Sequence, residues 1–204
     1  MDTSTAASST TSLNAKIGAT ALAAAAFLTL LLSHFSEPLA PLRLLTLALV
    51  AFATWSFCDE MGMQKPLNRA GFVFLSIAVA VKIQLILGVA VEFVGRYHLL
   101  YSAFLLLALL FWSIAFLHRR RALKILGALG VVTSVLPIFA LVAGHLAVGL
   151  SAVLGVSSIL AAADGASAAD PGFVTVIERI FGLWGYLTAW LLWRGHMQSP
   201  TSPK

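Results

Sequence analysis

The feature that most constrains this chain is a succession of apolar runs, each about twenty residues long, separated by short clusters of charge, proline and glycine. A helix needs about 20 predominantly apolar residues to cross the hydrocarbon core of a bilayer, at ~1.5 Å of rise per residue. The runs fall at about 16–35, 39–58, 70–93, 98–117, 122–145 and 173–194. Of the 204 residues, 60% are hydrophobic and only 10% charged, too little polar surface to cover a water-soluble fold. Disorder is excluded by the same composition, because a solvated coil carries few apolar side chains. The expected fold class is all-α: a polytopic integral membrane helical bundle of six transmembrane helices.

Basic residues set the expected threading. With six spans and the N-terminus inside, nine of the thirteen Lys and Arg residues lie on the cytoplasmic side, among them Lys65, Arg69, Arg119, Arg120, Arg121 and Lys124. Cytoplasmic loops favour such residues, so both termini are expected in the cytoplasm of a cell bordered by an inner or plasma membrane. A seventh helix would weaken the asymmetry, and it stays as the alternative. Residues 146–163, apolar and without an acid, then form an outer interfacial or re-entrant segment. Residues 1–15, rich in Ser, Thr and Ala, read as a disordered tail, and 195–204 as a short C-terminal one. The first run reads as a span and not as a cleaved signal, since only Lys16 precedes it and Pro38 and Pro41 interrupt the cleavage region. The net charge of +5 resides between apolar runs, as loop charge on a membrane protein does, and does not point to nucleic acid.

The polar residues near lipid are the candidate site. Lys82 falls near the centre of the third run, where an ionisable group is costly and functional by default. Depth favours Glu178 as its partner, whereas the lean of helical side chains toward the N-terminus favours Asp59 or Glu60, and the two arguments oppose each other. Further binding or gating candidates gather on the outer side: Arg179, Glu92, His34, Arg43 and His145. Gln84, Gly88 and Gly95 make one small-residue stripe, which would place the third helix centrally in the bundle. Gly182, Gly185 and Ala189 make another, with Glu178 at its outer end. Trp184, Trp190, Trp193, Tyr97 and Tyr101 suit an interfacial aromatic belt.

Function is expected to be binding or transport of a small solute or lipid through an outer-facing polar cavity, with the bilayer itself as the constant partner. Two alternatives remain. A membrane-embedded enzyme or redox component would use His34, His98 and His145, although none is spaced for two ligands on one helix turn. An accessory subunit would bind another membrane protein through its small-residue seams. No metal, cofactor or catalytic residue is expected. The single cysteine, Cys58, excludes an intrachain disulfide, and the chain holds no Gly-rich phosphate loop, His-Glu-x-x-His or Gly-x-Ser-x-Gly motif.

Overall fold

A computed structural model describes residues 3–32, 40–61, 65–88, 94–118, 121–154 and 171–194. Among them the fold is six helices and no strand: α1 (Thr3–Leu32), α2 (Ala40–Met61), α3 (Pro66–Ile86), α4 (Val94–Leu117), α5 (Arg121–Leu154) and α6 (Pro171–Trp193). Two of them, α3 and α4, are long and apolar enough to cross a membrane. α1 begins at Thr3, where a disordered tail to residue 15 had been expected. Its first fifteen residues contain neither Gly nor Pro, so nothing in the backbone interrupts the helix. α5 continues past residue 145 to Leu154 with Pro137 inside it, about 51 Å at ~1.5 Å per residue. The remainder of the expected outer segment, 155–163, and the C-terminal tail lie outside the described residues.

Local chemistry sets the ends of α3. Pro66 occupies the first turn, where its missing N–H costs nothing, and the Arg69 amide bonds back to the Lys65 carbonyl at 3.1 Å. At the other end the Leu87 amide bonds to the Ile83 carbonyl at 2.9 Å. Gly88 then takes φ +68°, a left-handed turn that glycine adopts at little cost. The helix therefore stops at Ile86, seven residues short of the expected span. Gln84, Gly88 and Gly95 consequently fall on a helix, a turn and a different helix, and do not form one stripe.

Consecutive helices from α1 to α5 run antiparallel. On α1 and α2, Gly18 lies against Ser56, so close that an added Cβ would sit 2.6 Å from the serine Cβ. On α3 and α4, Gly71 meets the Trp112 indole. On α4 and α5, Gly127 meets the Ser113 carbonyl and Gly130 the Ser113 side chain. α6 closes the bundle against α1: Gly182 faces Leu30 and Ala26, and Gly185 faces Leu22 and Ala26. Ala189, 3% exposed, continues that seam. Small residues here let two backbones approach closely enough for dispersion contacts to accumulate.

The centre of the bundle is α4 and not α3. α4 buries Tyr101, Leu105, Leu109, Trp112 and Phe116, whereas α3 leaves a face of Val73, Ile77, Ala80 and Gln84 exposed. Trp112 and Trp184 stack with ring centroids 6.1 Å apart, and Phe116 and Phe181 lie 5.4 and 6.5 Å from Trp184. Trp184 is thus a core residue and not part of a belt; Trp190 and Trp193 are exposed as a belt requires, and Tyr101 is buried. Some buried hydroxyls satisfy themselves locally: Thr54 Oγ1 donates to the Val50 carbonyl at 2.6 Å and Ser134 Oγ to the Gly130 carbonyl at 2.7 Å, whereas those of Ser102, Ser113 and Thr188 find no partner among the described residues. That four-residue back-bond removes the cost of a hydroxyl in apolar surroundings.

Candidate functional site

One end of the bundle holds a half-enclosed cavity of about 130 Å3, bounded by α1, α2, α3, α4 and α6. Polar residues cluster near the helix ends, where Leu32 and Ile86 add apolar surface, and the deeper walls are apolar. Near the helix ends lie Thr29, Arg43, Lys82, Tyr101, Thr175 and Glu178. One or two turns deeper come Val50, Leu75, Ala78, Leu105 and Phe181. This arrangement follows from helix register: α1 and α3 reach this end at their C-termini, α2, α4 and α6 at their N-termini, so each contributes its polar residue within about three turns of the rim. Five exposed basic residues, Lys16, Lys65, Arg69, Lys124 and Arg194, lie toward the opposite end.

Lys82 and Glu178 meet across this cavity. Lys82 Nζ donates to Glu178 Oε1 at 2.7 Å, with side-chain exposures of 12% and 19%. The same ammonium lies 4.6 Å from the centre of the Tyr101 ring, a cation–π contact. The conflict between depth and side-chain lean resolves in favour of depth. Because α3 stops at Ile86, Lys82 is only four residues, about 6 Å, from the helix end. Glu178 is seven residues, about 10 Å, into α6 from the same end of the bundle. Lys82 is therefore near one end of its helix and not at its middle. Asp59, at the far end of α2, has no described side chain.

α3 and α6 do not pack against each other along their lengths. The ion pair thus ties together two helices that the cavity otherwise separates. Arg43, on the first turn of α2, faces the same space, half-buried, and forms no ion pair or hydrogen bond with a described residue. Thr46, one turn on, donates its hydroxyl to the Leu42 carbonyl at 2.8 Å, and Thr29 donates to the Ala25 carbonyl at 2.8 Å. Their protons are committed, so they present only lone pairs to the cavity.

Of the residues expected at the site, Lys82, Glu178 and Arg43 come together. Arg179 is exposed beside Glu178 and outside the cavity lining. His34 and Glu92 lie outside the described residues, and His145 falls on α5 with its side chain outside them. Gly182, Gly185 and Ala189 pack against α1 and α2. Gln84 is exposed, and nothing lies within 4 Å of a Cβ built on Gly88, so neither packs a neighbouring helix. Thr29, Thr46 and Thr175 were not singled out from sequence, and Tyr101 was read only as part of an aromatic belt. Thr46 was within reach, since it lies three residues from Arg43 and so on the same helix face. Among the described residues no group of three or more His, Cys, Asp or Glu side chains could hold a metal ion. No family model matches the chain, and no curated protein or solved structure matches it either.

Proposed function

We propose that this is a six-span membrane protein of the cell membrane, with both ends cytoplasmic, that binds a small solute or lipid in the cavity between α1, α2, α3, α4 and α6. Two features support the membrane setting. Apolar residues of α5 at helical spacing, Ile125, Leu129, Val132, Leu136 and Phe139, are all at least half exposed. Water-soluble monomers rarely leave so continuous an apolar face open. α3 likewise is apolar yet only 17% buried over its most apolar stretch, whereas the core helix of a soluble protein would be mostly buried. The exposed basic residues at the end opposite the cavity support an outward-facing mouth.

The observation that carries the binding reading is the Lys82–Glu178 pair lining a cavity that Arg43 also enters. Ionisable groups in lipid-facing segments are retained where they contact solute, ions or one another. Solvent extraction of the protein purified in mild detergent, followed by mass spectrometry, tests this reading. A compound retained in stoichiometric amount, and lost from both Lys82→Met and the cavity-filling Val79→Phe, is the expected result. Equal retention by parent and both variants refutes it, as does the absence of any compound enriched over an unrelated membrane protein prepared in parallel.

A further inference from the structure

Among the described residues the charges lining the cavity do not balance, and the imbalance points to a ligand. Lys82 is matched by Glu178 at 2.7 Å, a neutral pair further enclosed by the Tyr101 ring. Arg43 is then the surplus, one positive charge facing the cavity with no described partner. Thr29 and Thr46 cannot compete with it for an anion, because they have given their protons to their own helices. Among the donors facing the cavity are the guanidinium fork of Arg43 and the remaining ammonium protons of Lys82. A guanidinium matches the two oxygens of a carboxylate or phosphate. Below that rim the cavity is lined by Val50, Leu75, Ala78, Leu105 and Phe181, a surface that favours hydrocarbon.

We propose that the cavity takes a singly anionic amphiphile, its oxyanion headgroup on Arg43 and its alkyl chain running toward Phe181. This assignment rests on the binding reading above and adds the chemistry of the ligand. The anion neutralises a charge that no described residue matches, and the chain removes apolar surface from water at both partners. The ion pair remains intact and holds α3 and α6 at the spacing the chain requires. The shared headgroup chemistry has two sources, a membrane amphiphile or a free small acid, and the depth of the apolar wall selects the amphiphile.

Calorimetric titration of the full chain in a neutral detergent tests it, with octanoate, octyl phosphate, octanol and octylamine as probes and butyrate and inorganic phosphate as headgroups without a chain. Octanoate and octyl phosphate should bind at least about tenfold more tightly than octanol or octylamine, the scale of a charge-assisted hydrogen bond. Arg43→Gln should abolish that ratio, Arg43→Lys should keep most of it, and Val79→Phe should weaken every octyl probe. Octanol or octylamine binding as tightly as octanoate, while still blocked by Val79→Phe, overturns the anion assignment and leaves the cavity a binding site. Butyrate or phosphate equalling its octyl counterpart overturns the amphiphile. No binding by any probe, with Val79→Phe indistinguishable from the parent, overturns the ligand class and the binding reading together.

Discussion

Removing one member of the Lys82–Glu178 pair should cost far more than removing both. At 2.7 Å the bare attraction is about 6 kcal/mol for an effective dielectric constant of ~20. Stripping water from the two ions takes back most of that gain, so the pair as a whole adds little net stability. A lone partner left behind keeps the desolvation cost without the attraction. Fully buried pairs lose about 3–5 kcal/mol when one partner is deleted. Here the side chains retain 12% and 19% exposure, which places the loss nearer 2–3 kcal/mol. Lys82→Met and Glu178→Leu should therefore each lower stability by about that much, whereas the two together should lose less than about 1 kcal/mol. The reversed pair, Lys82→Glu with Glu178→Lys, should recover at least half of what either charge reversal loses alone. Thermal unfolding in detergent, followed by intrinsic tryptophan fluorescence, supplies the four corners of the cycle. Single variants within about 0.5 kcal/mol of the parent, or a double variant equal to the sum of the singles, would show that the two groups do not depend on each other.

Three further outcomes are expected. Gly71→Ala presses a methyl into the Trp112 indole and should destabilise by about 1–3 kcal/mol, while Gly185→Ala, with 3.6 Å to Leu22, should be neutral or slightly stabilising; a reversed order in thermal unfolding argues against the α3–α4 packing. Gly88→Ala meets no neighbour yet must hold φ +68°, so it should cost about 1 kcal/mol, and a neutral result in the same assay means the turn is not left-handed. A reporter fused at the C-terminus should be active only when it is one that works in the cytoplasm, and the chain should resist alkaline carbonate extraction; an externally active reporter or release into the soluble fraction defeats the six-span threading.

Hydrophobic spacing alone made the helical class legible, because runs of about twenty apolar residues have few other solutions. The ends were less legible. The α3 boundary depended on Gly88 adopting a left-handed turn inside an apolar stretch, and apolarity carries no information about φ. That one residue misplaced the depth of Lys82 and joined Gln84 to two glycines it does not accompany. Gly182, Gly185 and Ala189 could be read correctly as a seam, since their four-three-four spacing with Glu178 survives wherever the helix begins. Trp184 could not, because its burial depends on Gly130 of another helix leaving room for the indole. The cavity was legible in its charged members and not in its threonines, which look like ordinary helix residues until five helices converge.

The stack of rings under the cavity has a consequence of its own. Phe181 forms part of the cavity floor and touches Trp184, which in turn lies flat against Trp112 and Phe116. Among the described residues, this stack lies behind the inner wall of the cavity. Whatever enters beside Arg43 meets four aromatic side chains plugging the way onward, and crossing to the far side would require those plates to swing apart. On the proposed binding reading, this conformation would serve as a receptacle, and acting as a conduit would first require the stack to part.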